Sequence, residues 1–293
     1  MRVLVTGATG FVGGALVPEL VTAGHDVVAM TRDASTFDPP PGVTVVEGDL
    51  LEAATLEGVF TDVDAAFYLV HSLQAGEAFA ERDRQAAQNF TRAASAAGVQ
   101  RVVYLGGLGE TGEGLSEHLQ SRREVESVLA EGDFALTTLR AAIIIGAGSA
   151  SFRMVRQLAG RLPVMITPKW VRTPCQPIAI QDVVAYLVRV LEEPDTAGET
   201  YEIGGPDVLT YQEMLSRTAA HLGSHPLIIP VPVLSPKLSV YWVDLVTDVP
   251  KRVAHPLVYG LKNPVVVTDD RIRELVPVQL TSFDDAVQTA LRT

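Results

Sequence analysis

The 293-residue sequence predicts an α/β fold in which a doubly wound parallel sheet carries a smaller, mixed C-terminal lobe. Three observations support this prediction. Apolar runs alternate with helical patterns in the first half, a glycine-rich turn follows the first run, and the pattern loosens after Gly148. Strands that alternate with helices form parallel sheets covered on both faces. The predicted strands of this half are residues 2–5, 27–30, 43–46, 65–70, 102–105 and 136–139.

The first predicted strand leads into a turn with three glycines. Gly7, Gly10 and Gly13 have the spacing G-x-x-G-x-x-G, and a helical pattern begins near Phe11. Such glycines permit a sharp turn, the approach of a pyrophosphate and close helix–strand packing, while the helix start attracts phosphate. We therefore predict a Rossmann-type dinucleotide site formed by Thr6, Gly7, Thr9, Gly10, Phe11, Val12 and Gly13.

The end of the second predicted strand indicates which dinucleotide is bound. An acidic residue at this place binds the ribose 2′-hydroxyl of NAD. Here the chain has Thr31 and Arg32, and a guanidinium suits a 2′-phosphate. We therefore expect NADP(H) to be favoured over NAD(H), with Asp33 one step into the following loop. The alternative for Arg32 is a solvated loop cation.

Later segments divide between the two predicted parts of the fold. Residues 1–150 form the predicted dinucleotide-binding domain, and residues 177–205, with a helix and one more strand, return to it. Residues 151–176 and 206–293 form the predicted substrate lobe and a C-terminal helix.

Few charges occur between residues 226 and 267, a stretch rich in Pro, Val, Leu and Tyr that includes Val240-Tyr241-Trp242-Val243. We interpret it as the apolar wall of a pocket for a small hydrophobic substrate, with an interface or plain core as the alternative.

Net charge, hydropathy and cysteine content limit which partners, which location and which metal sites this protein can have. A net charge of −12 argues against nucleic acid or an anionic membrane as a partner. It fits either a high-salt cytoplasm, and so a halophilic protein, or an Arg-favouring genome. The chain has no apolar run long enough for a membrane span and begins with a strand, so we expect a cytoplasmic protein. Because Cys175 is the only cysteine, a disulfide and a cysteine-based metal site are excluded, and we predict no metal.

Several motifs together resemble the atypical and extended branch of the short-chain dehydrogenase/reductase superfamily. Beside the glycine turn, they are Gly48-Asp49-Leu50, Tyr68-Leu69-Val70-His71-Ser72, Arg101-Val102-Val103-Tyr104-Leu105, Leu139-Arg140-Ala141, Pro177-Ile178-Ala179-Ile180-Gln181-Asp182-Val183 and Tyr201-Glu202-Ile203-Gly204-Gly205-Pro206. Within this branch the chain resembles a bacterial and archaeal group of NAD(P)H-binding reductases. That group is related to NmrA-like proteins and to the NADPH-binding accessory subunit of respiratory complex I.

The resemblance implies further contacts with the cofactor. Asp49, beside Leu50, would accept a hydrogen bond from the adenine amino group, although an Asp at a strand end also serves as a cap. Leu69, Val70 and His71 would line the middle of the cofactor. For His71, a packed and hydrogen-bonded role is the alternative.

The usual catalytic residues of the superfamily are replaced. A Ser or Thr is expected after the fifth strand, but the chain has Leu105-Gly106-Gly107-Leu108, and His118 and Arg122 stand where Tyr and Lys are expected. One hypothesis is an NADPH-dependent oxidoreductase that reduces a small hydrophobic carbonyl or quinone-like substrate. In it, His118 is the general acid, and Arg122 fixes the ribose and any substrate oxyanion.

The second hypothesis is a catalytically inactive NADPH-binding sensor, scaffold or assembly protein. It gains weight if the charge of Arg122 lowers the pKa of His118. Arg140 matches a family position on the substrate side of the pocket. Residues 149–152 are either a lid over the nicotinamide end or a plain connection. The sequence leaves the oligomeric state open, a homo-oligomer included.

Overall fold

A parallel sheet forms the centre of the computed structural model, which describes residues 1–72, 78–109, 117–231, 246–261 and 263–292. Within these ranges the sheet has seven strands, and the six N-terminal ones are those predicted from the sequence. Their bounds are β1 (Arg2–Thr6), β2 (Asp26–Thr31), β3 (Val43–Glu47), β4 (Ala65–Tyr68), β5 (Arg101–Gly107) and β6 (Ala135–Ala141), and the seventh strand is β11 (Thr200–Ile203). They hydrogen-bond in the order β11-β6-β5-β4-β1-β2-β3.

Helices cover both faces of this sheet, which confirms the predicted doubly wound α/β fold. On one face pack α1 (Phe11–Thr22) and α5 (Ile180–Glu192), and on the other α2 (Phe79–Ala96) and α3 (Glu117–Leu129). Alternate residues of a strand point to opposite faces, so Val3 and Val5 join the first apolar cluster and Leu4 joins the second. All three side chains are fully buried.

Among the described residues, the C-terminal part of the chain adds three small two-stranded sheets. Their strands are β7 (Ile144–Ile145) with β10 (Ile178–Ala179), β8 (Val164–Pro168) with β13 (Leu227–Val231), and β9 (Pro174–Cys175) with β12 (Leu209–Thr210). Four more helices are α4 (Ala150–Arg161), α6 (Tyr211–His221), α7 (Lys251–Gly260) and α9 (Phe283–Arg292), with a short α8 (Ile272–Leu275) before the last. A third apolar cluster, around Phe152, Met214 and Val287, joins α4, α6 and α9.

Two expectations about the C-terminal part concern the predicted apolar wall and a membrane span. The run Val240-Tyr241-Trp242-Val243 lies outside the described residues. In the part of the chain that the structure describes, no helix has both the length and the apolarity needed to cross a bilayer.

Helix α1 approaches the turn after β1 so closely that one glycine is required. A Cβ atom on Gly13 would lie 2.2 Å from the carbonyl oxygen of Gly7 and 2.8 Å from the Cα of Ala8. Both distances are shorter than van der Waals contacts with backbone atoms that cannot rotate away. On the neighbouring Gly14, the nearest atom to a Cβ would be the Ala8 oxygen at 3.8 Å.

These two adjacent glycines give a matched test of the packing. Gly13→Ala should lower the free energy of unfolding by about 1–3 kcal/mol, because the helix must move away from the turn. Gly14→Ala should raise it by about 0.4–1 kcal/mol, because Ala restricts the unfolded chain and meets no obstacle. Urea unfolding of both variants provides the measurement, and equal effects would contradict the packing described.

Candidate functional site

The glycine turn connects the end of β1 with the start of α1. Gly7 has a φ of +73°, and a Cβ there would lie 2.9 Å from the carbonyl oxygen of Leu69. The N–H of Gly10 donates to the carbonyl of Gly7 at 2.9 Å, and no side chain caps the helix at Gly10. The turn therefore presents uncapped backbone N–H groups at the carboxyl edge of the sheet, which is an arrangement that binds phosphates.

The side chains of the turn differ in their surroundings. Thr6 is fully buried, and its hydroxyl donates to the Phe67 carbonyl at 2.9 Å, so it joins β1 to β4. Thr9 is exposed and Val12 half-buried. The ring of Phe11 packs against the backbone after β7, where a Cβ on Gly146 would lie only 2.7 Å from it.

Arg32 and Asp33 take different roles after β2. The Asp33 carboxylate accepts from the backbone N–H of Ser35 at 2.9 Å and from its hydroxyl at 2.6 Å, capping a short 3₁₀ turn. The Thr31 hydroxyl donates to the Asp33 carbonyl at 3.3 Å. Arg32 is exposed, and no carboxylate of the described residues lies within ion-pair distance of it. Its guanidinium is therefore available to a ligand.

The end of β3 holds the expected Asp49 and a contact absent from the sequence prediction. One carboxylate oxygen of Asp49 accepts from the N–H of Leu51 at 2.9 Å, so Asp49 caps this turn. Among the described residues its other oxygen has no bond. The amide of Asn89, on α2, donates to the carbonyl of buried Leu50 at 2.7 Å and holds the turn against the helix.

Three residues follow β4 toward the middle of the predicted cofactor site. Leu69 and Val70 are half-buried, and the carbonyl of Leu69 borders Gly7. His71 is an exposed residue. Crowding by protein atoms and then the charge of Arg122 lower the pKa of this imidazole.

His118 and Arg122 lie one helical turn apart on α3, beside His71. Burial, the charge of Arg122 and the proximity of His71 lower the pKa of His118 to about 3. Its imidazole is therefore neutral at neutral pH, and it can donate or accept a hydrogen bond but does not supply a proton as imidazolium. The role of general acid expected for His118 receives no support from this environment.

A buried carboxylate that was not identified from the sequence holds this cluster together. Asp83, on α2, is 3% exposed and accepts from the Ser72 N–H at 2.6 Å and from the Ser121 hydroxyl at 3.3 Å. Ser72 follows His71, and Ser121 precedes Arg122. Asp83 thus joins the end of β4 to α3 on both sides of the cluster. Only the folded chain brings these residues together.

An apolar cavity of about 200 Å³ opens beside His118. It lies at the ends of β5 and β6, where Gly107, Leu108 and Ala141 line it. Since all strands of the sheet are parallel, this is the same edge that carries the glycine turn. Helices α4, α6 and α7 contribute Met154, Val155, Leu158, Leu215 and Val258 to the wall, and Leu261 follows α7. The lining residues with polar side chains are His118, Ser151 and Tyr211.

Leu119 fills the place next to the end of β5. A Cβ on Gly107 would lie 2.9 Å from a methyl carbon of Leu119. A hydroxyl side chain at position 107 would therefore require Leu119 to move. The packing therefore agrees with the absence of the usual Ser or Thr, because the side chain of Leu119 occupies the volume that the hydroxyl side chain would need.

Arg140 and residues 149–152 are the remaining segments that the sequence analysis assigned to the surroundings of the substrate and the nicotinamide. Arg140 is not among the residues that line the cavity: it lies within β6, and Glu126 of α3 binds its guanidinium with two hydrogen bonds of 2.6 and 3.1 Å. Ser149 accepts from the N–H of Phe152 at 3.3 Å and caps α4, so residues 149–152 form a helix start.

Comparison with known proteins identifies the family. A family described as NAD(P)H-binding matches residues 7–160, from the glycine turn through the cavity-lining part of α4. The chain belongs to this NAD(P)H-binding family. This NAD(P)H-binding family is oxidoreductase-like, and the matched residues begin at Gly7 of the glycine turn.

The relatives of this NAD(P)H-binding protein include the kinds of protein that the sequence motifs resemble, namely a reductase and a subunit of a respiratory NADH dehydrogenase. Subunit 9 of the NADH dehydrogenase [ubiquinone] 1 alpha subcomplex of Arabidopsis thaliana is 26% identical over 286 residues, 92% of this chain and 70% of that protein. A (4-alkanoyl-5-oxo-2,5-dihydrofuran-3-yl)methyl phosphate reductase of Streptomyces griseus is 28% identical over 229 residues, 75% and 74% of the two chains. Three relatives with 34 to 36% identity are aligned over about a third of their length.

Solved structures confirm the fold of the NAD(P)H-binding chain. A nucleoside-diphosphate-sugar epimerase from Staphylococcus aureus superposes with a TM-score of 0.78 at 16% identity, covering 98% of this chain and 100% of that one.

Within the described residues, no group of three or more His, Cys, Asp or Glu side chains could hold a metal ion.

Removal of the Asp83 carboxylate should show how much the cluster depends on it. Asp83→Ala leaves the Ser72 N–H and the Ser121 hydroxyl without their buried acceptor, so we expect a loss of about 2–4 kcal/mol in the free energy of unfolding. Ser121→Ala removes one donor and keeps the other, and should cost about 1 kcal/mol. Urea unfolding measures both, and a similar small loss in each would disprove the bridging role.

Proposed function

We propose that this protein is an NADPH-dependent oxidoreductase that reduces a small hydrophobic carbonyl or quinone-like substrate with an unusual active site. One observation carries the proposal: the apolar cavity opens beside His118 at the strand ends that follow the glycine turn. A nicotinamide ring bound along this edge would supply hydride at the mouth of a pocket with walls suited to an apolar molecule.

The preference for NADPH is supported by the end of β2. Arg32 is exposed and has no carboxylate partner among the described residues, while Asp33 is occupied as a cap. A free guanidinium beside the adenosine ribose can bind a 2′-phosphate through two parallel hydrogen bonds, and it offers no acceptor to a 2′-hydroxyl.

The proposed roles in the reaction follow from charge and position. His118 lines the cavity as a neutral imidazole, so its N–H can hold a substrate oxygen. Arg122, one turn further along α3, has a permanent positive charge that favours negative charge on that oxygen and can contact the ribose. Apolar residues of α4, α6 and α7 exclude water from the remainder of the pocket.

A second candidate function is an NADPH-binding sensor, scaffold or assembly protein without catalysis. The low pKa of His118 and the missing hydroxyl after β5 favour it, because binding requires neither a proton donor nor an oriented substrate. The similarity to a respiratory complex subunit is compatible with this candidate.

The role of Arg32 is testable by cofactor affinity. Arg32→Ala should raise the Kd for NADPH about 10- to 100-fold, since charge-assisted hydrogen bonds contribute about 1.5–3 kcal/mol, and should change the Kd for NADH about twofold or less. Fluorescence titration of both cofactors gives the values. Arg273→Ala, at an exposed arginine on α8, is the control and should change neither Kd. Equal losses for the two cofactors in Arg32→Ala would reject the assignment.

Catalysis is tested by the oxidation of NADPH with a panel of aldehydes, ketones and quinones. We expect turnover with apolar members of the panel. His118→Ala should lower kcat about 10- to 1000-fold, because it removes a donor to the reacting oxygen, with the Kd for NADPH unchanged. Ser127→Ala, at an exposed serine of the same helix, is the control. Tight NADPH binding without turnover across the panel would favour the sensor or scaffold function.

A further inference from the structure

We infer that the C-terminal lobe docks on the surface of a lipid bilayer with anionic headgroups. The part of the lobe that would enter the bilayer interface is an aliphatic patch of four exposed side chains, Val164 and Ile166 on β8 and Leu227 and Ile229 on β13. The sequence segments around these strands have basic residues and no acidic ones. Such docking is independent of catalysis, because it requires neither cofactor nor substrate.

The aliphatic patch is one face of the small parallel sheet formed by β8 and β13. Leu227 pairs with Val164 and Ile229 pairs with Ile166, so the four side chains lie side by side. They are 41 to 59% exposed. Met165, which lies between the two patch residues of β8, points the other way and is buried in the third apolar cluster. The sheet therefore has one face in the core and one apolar face in water.

Exposed apolar side chains on a folded protein usually occur singly, and a contiguous group marks a site of association. Among the described residues, the aliphatic patch contains four of the eight large apolar side chains that are exposed. Since each is about half exposed, together they offer on the order of 300 Å² to a partner.

This area is small for a protein partner. Each subunit of a specific complex buries about 800 Å². Addition of another strand beside β13 is opposed by Pro230, which lies within that strand and has no N–H to donate. A bilayer requires no complementary shape, and it binds a surface according to the apolar area and positive charge of that surface. The aliphatic patch therefore suits a bilayer better than a second copy of the chain.

The charges of the chain are unevenly distributed, although their total is −12. Residues 134–181, which include α4 and β8, have six basic residues and no acidic one. Residues 214–243, which include β13, have two basic residues and no acidic one. All 35 acidic residues lie elsewhere in the sequence. The net charge, which argues against an anionic membrane for the chain as a whole, thus does not describe the surroundings of the aliphatic patch.

Two exposed arginines lie close to the aliphatic patch. Arg161 is three residues before Val164 and Arg172 is four residues after β8, so the chain holds their Cα atoms within about 11 and about 14 Å of that strand. Arg161 is ion-paired with Asp248 at 2.9 Å. Arg172 ends the 3₁₀ turn Lys169–Arg172, which contacts both β8 and β13, and no carboxylate of the described residues lies within ion-pair distance of it. Its guanidinium is available to a lipid phosphate.

Nucleic acid, which basic residues also attract, fits the aliphatic patch less well. Proteins that bind single strands stack bases on aromatic rings, and proteins that bind duplexes place polar and basic side chains on phosphates and base edges. The four side chains of the patch have neither a ring nor a polar group. At a bilayer, such side chains leave water for the boundary of the acyl chains while neighbouring arginines stay among the phosphates.

Flotation of the full chain with lipid vesicles tests the inference. The vesicles are phosphatidylcholine alone, and phosphatidylcholine with phosphatidylglycerol at about 3:1, both in about 0.1 M NaCl. The apparent Kd, expressed as lipid concentration, should be at least about tenfold lower for the mixed vesicles, because anionic headgroups attract the arginines. It should rise in about 0.5 M NaCl, where the screening length falls to about 4 Å.

Substitutions at exposed positions separate the apolar and the charged contributions. Ile166→Ser combined with Leu227→Ser should raise the Kd for the mixed vesicles at least about tenfold, because it removes half of the aliphatic patch. Val208→Ser, at an apolar side chain that is 52% exposed outside the patch, is the matched control. Arg172→Gln should raise the Kd about fivefold, and Arg82→Gln, at an exposed arginine on α2, should leave it unchanged. Near-UV circular dichroism checks that each variant is folded.

Four results would overturn the inference. They are failure of the unmodified chain to float with the mixed vesicles, equal flotation of the folded Ile166→Ser/Leu227→Ser variant, equal effects of Arg172→Gln and Arg82→Gln, and tighter binding to DNA than to the vesicles. Light scattering adds a further check without lipid. A dimer of the unmodified chain that the Ile166→Ser/Leu227→Ser variant dissociates would assign the aliphatic patch to a second copy and overturn the inference as well.

Discussion

The close approach of α1 to the turn after β1 is the constraint on which the cofactor site depends. With no Cβ at Gly13, the helix start lies against the backbone of Gly7, and the turn in turn lies against the carbonyl of Leu69 at the end of β4. The ring of Phe11 packs on Gly146, so the same helix start also borders the chain that leads into α4. These contacts fix the glycine turn relative to both the end of β4 and the chain that leads into α4.

Much of the fold was predictable because its signals are local. Each apolar run was short and bounded by turns, and alternation with helical patterns specified a parallel sheet. The contribution of β11 to the sheet was visible as one more such run after residue 199. The glycine turn was also predictable, since the chemistry of phosphate binding requires particular residues at a fixed spacing.

The parts of the site that sequence reasoning missed depend on contacts between distant segments. Asp83 and Asn89 look like ordinary polar residues of a helix, and nothing near them in the sequence shows that α2 packs against the turns after β3 and β4. The surroundings of Arg140 were missed for a similar reason: the predicted strand ended at residue 139, and Glu126, which binds the guanidinium of Arg140, comes from another element. Leu119 could be identified as a core residue from its helical position, but its contact with Gly107 follows only from the packing of α3 on β5.

The single thiol of the protein has a consequence for the study of its motions. Cys175 is completely buried, and burial raises the pKa of its thiol to about 11, so the folded chain presents almost no thiolate to solvent. Alkylating reagents and oxidants therefore reach this sulfur only when the strands around it separate. Because the chain has no second cysteine, the rate of thiol modification reports how often the strands around Cys175 separate. A ligand that slows this modification would be shown to bind the protein without any assay of turnover.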